Sequence, residues 1–207
     1  MSLQLDHLAI TLHGKPLAAL DITVLPGQPV TLMAPSGTGK STVLAAIAGA
    51  LDPVFRASGR VILNGRDVTG LPTHARHIGL LFQDAMLFPH LSVGQNLGFA
   101  LPPGPNRRAR IEAALDEVDL EGFATRDPAT LSGGQAARVA LMRSLLAQPQ
   151  ALLLDEPFSK LDTALRQQIR DLVFEKTRFL PVILVTHDAE DARAAKGPVL
   201  SPMGLPL

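Results

Sequence analysis

The sequence contains no cysteine, no tryptophan and no tyrosine, and it has only 8 phenylalanines in 207 residues. Without cysteine, disulfide bonds, thiolate catalysis and cysteine-ligated zinc sites are excluded. Basic and acidic residues number 19 each, so the formal net charge is +0. The chain therefore lacks the excess of basic residues that would indicate nucleic acid or an anionic membrane surface as a partner.

The chain also lacks a long apolar segment. The longest apolar run, residues 43–51, is too short to span a bilayer and contains Gly49. Residues 1–7 lack the basic and then apolar order of a secretory signal. We therefore expect that this polypeptide does not cross a membrane by itself and that any membrane role needs a partner.

What the chain does contain is the pattern of one α/β domain with a small insertion. The hydrophobic fraction of 46% is typical of a globular protein. From residue 84 to about 131 the strand pattern gives way to helical spacing, and residues 197–207, with three prolines, are predicted to be a loose tail. Strands are predicted at residues 3–12, 20–25, 30–34, 61–63, 78–82, 151–155 and 181–186, and helices at 40–50 and 162–178.

Residues 34–41 fit the phosphate-loop template G-x-x-x-x-G-K-[ST] at every position except the first, where alanine replaces glycine. Gly37 and Gly39 allow the backbone N–H groups to face an anion, and the helix that begins near Lys40 adds its positive dipole end. Lys40 would reach the β- and γ-phosphates, and Ser41 would ligate Mg²⁺. The preceding strand and the following helix favour this interpretation over a plain glycine-rich turn. The predicted nucleotide contacts here are Ala34, Pro35, Ser36, Gly37, Thr38, Gly39, Lys40, Ser41 and Thr42.

An apolar strand at residues 151–154 ends in two acids, Asp155 and Glu156. Taken alone, a buried strand followed by solvated acids is an equally good interpretation. Downstream of a phosphate loop, Asp155 is predicted to hold Mg²⁺ through water, and Glu156 to polarise the attacking water as a general base. A protein that binds ATP without hydrolysing it would have no need of Glu156.

The pentapeptide Leu131-Ser132-Gly133-Gly134-Gln135 resembles the signature sequence of ABC ATPases. Its hydroxyl, its glycine N–H groups and the helix that follows form a second anion cradle. In that family, the signature of one protomer closes over ATP bound by the other. The resemblance therefore implies a head-to-tail pair that sandwiches two ATP molecules.

The resemblance also implies the fold, a P-loop NTPase core of the ABC ATPase type. We expect a single ABC ATPase domain in which residues 1–83 and 148–207 form the RecA-like core with its N-terminal antiparallel β subdomain. Residues 84–147, which include the signature helix, are expected to form a small helical subdomain.

Four further residues match family positions. Gln83 matches the Q-loop glutamine, which touches Mg²⁺ and the attacking water, and Asp162 matches the acidic position of the D-loop. His187 matches the switch histidine that contacts the γ-phosphate. His13 occupies the place where the family usually has an aromatic residue stacked on adenine, and an ordinary strand-end histidine is the alternative.

Three functions remain open: the ATPase subunit of a membrane importer, a soluble ABC factor, and a binding module that has lost catalysis. The complete set of site residues disfavours the third, and the short interval between phosphate loop and signature disfavours long repair-type proteins. Residues 82–93 and 155–159 resemble bacterial importer subunits. That resemblance implies permease subunits and a solute-binding protein as partners, no nucleic acid, and a place at the inner face of the cell membrane. The cargo is not specified.

The segment after Gln83 carries an apolar cluster at residues 85–88. Such a cluster marks either a packed core or an interaction surface. The importer resemblance favours a groove, lined in part by Leu87 and Phe88, that receives a short cytoplasmic helix of the permease. Burial against the helical insert is the alternative.

Overall fold

The computed structural model describes residues 1–35 and 37–207 of the chain. Strands whose side chains are buried at alternating positions, and strands that are apolar throughout, form two sheets. In chain order the strands are β1 (Leu3–Leu12), β2 (Lys15–Val24), β3 (Val30–Met33), β4 (Phe55–Leu63), β5 (Arg66–Asp67), β6 (Ile78–Leu81), β7 (Ala151–Asp155), β8 (Val182–Thr186) and β9 (Val199–Leu200).

The helices lie on both faces of the parallel sheet and build the insert. They are α1 (Lys40–Ala48), α2 (Val93–Ala100), α3 (Arg107–Asp116), α4 (Gly133–Leu146), α5 (Thr163–Thr177) and α6 (Ala189–Ala195), with 3₁₀ turns at Thr73–Ala75, Phe123–Thr125 and Pro128–Thr130. In the part of the chain that is described, none of these helices has both the length and the hydropathy needed to cross a bilayer.

The central sheet is parallel, with strand order β6-β7-β8-β3-β9. Its middle strands are buried along nearly their whole length, which explains why β7 and β8 are unbroken apolar runs rather than alternating ones. The carboxyl ends of β3, β7 and β8 meet at one edge. Ligand sites in such sheets form at that edge.

The second sheet is antiparallel, with strand order β2-β1-β4-β5. The buried side chains of β1 change from odd to even positions because a bulge at His7 inserts one extra residue. Gly59 lies beside the bulge, where a Cβ atom would come within 2.2 Å of the His7 carbonyl oxygen. The bulge therefore sets the register that brings the end of β1 against the start of β4.

The insert has a hydrophobic cluster of its own, formed by α2, α3, α4 and the segment after α3. Val93 and Leu97 of α2 and Val139 of α4 are fully buried there. Two capping boxes, one at Ser92 and one at Ser132, begin α2 and α4. Two further clusters of buried apolar residues lie on either side of the parallel sheet.

The predicted strands and helices are all present, and two of the strands begin earlier than predicted. β2 begins at Lys15 rather than 20, and β4 begins at Phe55 rather than 61. The expectation of a loose tail is wrong, because Val199–Leu200 forms strand β9 beside β3. The last residue returns to it as well, since the Leu207 N–H donates to the Val199 carbonyl at 2.9 Å.

Candidate functional site

The phosphate loop connects β3 to α1, and its glycines have conformations that other residues rarely adopt. Gly37 has a φ of 79° and Gly39 a φ of 87°, both in the left-handed region. Gly39 has a second requirement, since a Cβ atom there would come within 2.6 Å of the Leu17 side chain. The Thr38 hydroxyl donates to the Pro35 carbonyl at 2.7 Å and braces the turn. Gly37 and the template glycine Gly39 therefore each have a structural reason in their positive φ.

Two predicted loop residues need separate comment. Ser36 lies outside the described residues. Ala34 does not have a positive φ, so the residue that replaces the template glycine is not strained. The carbonyl of Ala34 instead accepts a hydrogen bond from Lys40 Nζ at 2.6 Å.

Lys40 is buried, with 5% of its side chain exposed. Its ammonium donates to the Ala34 and Pro35 carbonyls and lies 3.6 Å from Glu156 Oε1. A buried cation held by its own loop is in place to exchange these partners for phosphate oxygens.

Ser41 and Asp155 are brought together although 114 positions separate them in sequence. The Ser41 hydroxyl donates to Asp155 Oδ1 at 3.2 Å. Burial raises the pKa of the Asp155 carboxyl above its ordinary value, and the hydrogen bond from Ser41 opposes that rise. A hydroxyl and a carboxylate at one point are the oxygen ligands that Mg²⁺ prefers, so these residues fit that ion.

Glu156 turns away from the strand axis immediately after Asp155. Its φ of 46° is left-handed, which is uncommon for a residue with a side chain. The N–H of Glu156 donates to the Val185 carbonyl at 2.9 Å, so the turn is fixed between β7 and β8. Its Oε2 atom lies 3.1 Å from His187 Nδ1. The turn thus directs the carboxylate toward the histidine that follows β8.

The segment that carries His187 is held by ion pairs from α5. Arg166 donates to Asp188 Oδ2 at 2.6 Å, and also to the Ser159 carbonyl at 3.3 Å. The pKa of the Asp188 carboxyl is lowered, first by the hydrogen bond from the Glu190 N–H and further by the charge of Arg166. One arginine therefore joins Ser159, three residues before Asp162, to Asp188, the residue after His187.

One cavity of about 450 Å³ is lined by eight of the predicted site residues, and His187 is not among them. Gln83 lines this cavity, and it lies two residues after the end of β6. The wall consists of Leu12, Leu17, Gly37, Gly39, Lys40, Ser41, Thr42, Phe55, Gln83, Asp155 and Glu156. Leu12, Leu17 and Phe55 were not among the predicted contacts. Phe55 reaches the cavity because β4 pairs with β1. The sequence pattern predicted only residues 61–63 of β4 as a strand, so it did not include Phe55.

His13 is not part of that wall. It lies in the exposed turn between β1 and β2, with a φ of 49°, while Leu12 and Leu17 on either side of the turn do line the cavity. The structure therefore leaves the predicted adenine contact of His13 without support from the site itself.

The signature residues lie apart from this cavity, at the start of α4. Ser132 and Gly133 are exposed, and the Ser132 hydroxyl accepts from the Gln135 N–H at 3.3 Å. Gly134 is buried, and a Cβ atom there would come within 2.6 Å of Leu165. Leu131 packs partly into the cluster of the helical insert.

Asp162 is also outside the cavity. Its carboxylate caps α5 by accepting from the Leu165 N–H at 3.0 Å. Capping explains the local preference for an acidic residue. Among the described residues, neither Asp162 nor the signature pentapeptide lines the cavity at the phosphate loop.

Comparison with known proteins agrees with this geometry. The sequence model of the ABC transporter family matches residues 17–159, more than half of the chain. An uncharacterized ABC transporter ATP-binding protein, YnjD of Escherichia coli K12, is 54% identical over 187 residues, which are 88% of this chain and 86% of that protein.

Two further relatives have names that state a cargo. The thiamine import ATP-binding protein ThiQ of Cereibacter sphaeroides is 45% identical over 197 residues, covering 92% of this chain and 84% of that protein. The Fe(3+) ions import ATP-binding protein FbpC of Escherichia coli K12 is 42% identical over 187 residues. This chain spans about half of FbpC, since the match covers 87% of the chain and 53% of that relative.

Proposed function

This chain belongs to the ABC transporter family as an ATP-hydrolysing, ATP-binding subunit, and from this premise we propose that it works in a nucleotide-sandwich pair that drives the uptake of a small solute. The pair is the unit that hydrolyses ATP. Each chain acts as one ABC ATPase domain, with residues 84–147 as its helical part. The observation that carries this proposal is the separation of the two anion cradles within one chain.

The phosphate-loop cavity supplies the chemistry. Lys40 exchanges its carbonyl partners for the β- and γ-phosphates, and Ser41, Asp155 and Gln83 are the residues that would hold Mg²⁺. A bound Mg²⁺ would neutralise charge that develops on the transferred phosphoryl group. Glu156 takes the proton of the attacking water, and His187 contacts the γ-phosphate beside it.

The signature cradle supports the pairing. Ser132 and Gly133 are exposed at the positive end of α4, and residues 131–135 contribute nothing to the cavity wall within the described part of the chain. A second copy, placed head to tail, brings its ATP to this cradle. Asp162, at the exposed start of α5, contributes to the same interface.

Sedimentation of the Glu156→Gln protein with and without Mg-ATP tests the pair. We expect a monomer without nucleotide and a dimer with it, because the blocked chemistry preserves the sandwich. Gly133→Asp in the same background is the matched control. It should fold and bind ATP yet remain monomeric, because a Cβ atom at Gly133 would meet no atom within 4 Å and the carboxylate places negative charge in the cradle. A dimer that forms without ATP, or one unaffected by Gly133→Asp, would contradict the sandwich.

The permease contact is proposed for a groove of the helical insert. A cavity of about 650 Å³ lies between α2, α3 and the turn after α3, and Phe99 on its wall is 70% exposed. The rings of Phe88 and Phe99 pack at a tilt, with centroids 4.9 Å apart, and the Asn96 side chain hydrogen-bonds to the Phe88 backbone. Leu87 packs partly into two hydrophobic clusters, so the core interpretation applies to it. The groove hypothesis therefore rests on Phe88 and Phe99.

Phe99→Ser tests this contact against Phe179→Ser, since both side chains are 70% exposed. We expect Phe99→Ser to retain ATP binding and the melting temperature of the isolated subunit while abolishing assembly with the permease. Phe179→Ser should assemble normally. Assembly that survives Phe99→Ser would place the docking site elsewhere, and a fall in melting temperature would make Phe99 a packing residue.

Other proteins of the proposed system recognise the cargo, since an ATP-binding subunit does not contact it. By analogy with relatives named for thiamine and iron import, the proposed system includes a permease and a solute-binding protein, with this chain held at the inner face of the cell membrane. Nucleic acid is not a partner. Genes for a permease and a solute-binding protein beside the gene of this chain would support the assignment.

A further inference from the structure

The nucleotide cavity has two walls of different chemistry. The edge of the parallel sheet and the phosphate loop supply charged and polar groups, among them Lys40 and Asp155. The antiparallel sheet supplies Leu12, Leu17 and Phe55, whose side chains carry no hydrogen-bonding group. ATP has the same division, a polyanionic tail and a flat base with two apolar faces. The phosphate end of the cavity is fixed by the loop, so the apolar wall is left for the base.

Phe55 is held rigidly on that wall. It is the first residue of β4 and pairs directly with Leu12, the last residue of β1. Its N–H donates to the Asp52 carbonyl at 3.0 Å, and the Asp52 carboxylate accepts from the Val54 N–H at 2.9 Å. The ring also packs against the hydrophobic core cluster of this sheet. A preorganised ring loses little conformational entropy when a base stacks on it.

Leu17 connects this wall to the phosphate loop. Its side chain sits against Gly39, so close that a Cβ atom on Gly39 would clash with it at 2.6 Å. The apolar wall is thus continuous with the loop that binds the phosphates. A nucleotide anchored at Gly39 and Lys40 would extend over Leu17 toward Phe55.

We propose that Phe55, together with Leu12 and Leu17, forms the base-binding surface of this chain, and that Phe55 takes the stacking role expected of His13. Among the described residues, Phe55 carries the only Phe, Tyr, Trp or His ring on the cavity wall, and His13 is exposed in the neighbouring turn. The proposal rests on ATP being the ligand of this cavity.

Calorimetric titration of the full chain with ATP and, separately, with inorganic tripolyphosphate tests it. Tripolyphosphate carries the anionic tail without a base, so it reports on the phosphate loop alone. Phe55→Ala should weaken ATP binding by about 5- to 100-fold, the usual cost of removing a base-stacking ring. Tripolyphosphate affinity should stay within about twofold, well below the tenfold that 1.4 kcal/mol represents. Phe179→Ala, which removes an exposed ring far from this wall in sequence, should change neither.

Two more variants separate stacking from packing. Phe55→Trp keeps a flat ring and should retain ATP affinity, whereas Phe55→Leu keeps apolar packing without the ring and should lose most of it. If Phe55→Ala unfolds, this pair still decides the question. Equal ATP affinity in Phe55→Leu and wild type would overturn the proposal, and so would a parallel loss of ATP and tripolyphosphate binding. A selective loss of ATP in His13→Ala, with Phe55→Leu unaffected, would assign stacking to His13. Wild-type protein that binds neither ligand would refute the ATP site itself.

Discussion

Oε2 of Glu156 lies 3.1 Å from Nδ1 of His187, while Oε1 of the same carboxylate lies 3.6 Å from Nζ of Lys40. The left-handed φ of Glu156 produces this arrangement, because it turns the side chain out of the strand and between two nitrogen-bearing groups. A backbone conformation of this kind costs free energy, and such strain is concentrated at functional sites. The relationship makes the carboxylate the centre of the proposed hydrolysis.

Replacing Glu156 with glutamine should stop the chemistry and spare binding. The amide preserves the shape of the side chain but does not accept a proton from water. We expect the turnover of ATP to fall by about 100-fold or more, in the range that general bases contribute. ATP affinity should change by less than about tenfold. Steady-state hydrolysis and equilibrium binding measure the two effects, and near wild-type turnover would refute the general-base role.

Lys40→Ala provides the contrasting variant for that experiment. In the proposed mechanism this charge contacts the phosphates in substrate and transition state alike, so binding and hydrolysis should fall together. A Lys40→Ala protein that binds ATP normally would show that the ammonium keeps its carbonyl partners when nucleotide is bound.

Asp155→Asn should raise the stability of the nucleotide-free protein and abolish its ATPase activity. Partial burial raises the pKa of the Asp155 carboxyl, so its ionised form destabilises the folded state at neutral pH. Asparagine retains an acceptor for Ser41 without the charge. We expect the nucleotide-free variant to melt about 2–4 °C higher, which corresponds to about 1 kcal/mol for a chain of this size. Mg²⁺-dependent hydrolysis should be lost.

The pH dependence of that difference follows from its sign. As the pH falls through the raised pKa, the native Asp155 takes up a proton, so the advantage of the variant should shrink toward zero. Asp162→Asn is the control, because Asp162 is an exposed cap and asparagine caps a helix equally well. An Asp155→Asn protein that melts lower than wild type would contradict the burial argument.

The sequence predicted the polar half of the site because its residues follow strands whose carboxyl ends share an edge. Ser41 and Asp155 meet for this reason despite their separation of 114 positions. Glu156 could be placed by the same logic, since it follows the buried parallel strand β7. Gln83 was predicted from the family resemblance, and its position after parallel strand β6 brings it to the same edge.

The apolar half could not be predicted in that way, because it depends on strand register. The start of β4 is half-buried only at Phe55 and exposed over the next five residues, so no alternation marks it as a strand. The bulge at His7 then decides that Phe55 faces Leu12. Strand β9 was missed for a similar reason, since two residues gain their conformation from pairing with β3.

Ala34→Gly, which restores the template glycine, should bring little benefit. The carbonyl of Ala34 accepts from Lys40 Nζ, and the residue has no positive φ that glycine would relieve. We expect ATP affinity to change by less than about tenfold. The added backbone freedom of the unfolded chain should lower stability by about 0.4–1 kcal/mol. Titration and thermal melting test both, and a larger gain in affinity would show that the alanine methyl obstructs the loop.

Two arginines of α5, one turn apart, form ion pairs with acidic residues that follow His187. Arg166 pairs with Asp188 and Arg170 pairs with Asp191. Arg166 bridges the Ser159 carbonyl and the Asp188 carboxylate and is partly exposed. Arg170 pairs with Asp191 at 3.1 Å, and the two side chains are only 12% and 3% exposed. Burial raises the pKa of the Asp191 carboxyl, in contrast to Asp188, whose pKa is lowered. The first arginine therefore positions the residue next to His187, and the second stabilises the fold.

Methionine substitutions should separate these roles, since methionine retains the apolar stem of arginine without its charge. Arg166→Met should leave the melting temperature within about 4 °C of wild type. It should lower kcat by about tenfold to 100-fold, because the support of His187 is lost while ATP contacts remain. Arg170→Met should instead cost about 3–5 kcal/mol, since Asp191 is left buried and unpaired. Thermal melting and steady-state kinetics of both variants make the comparison. An Arg166→Met protein with normal kcat and a melting temperature as low as that of Arg170→Met would show that Arg166 stabilises the fold and has no positioning role.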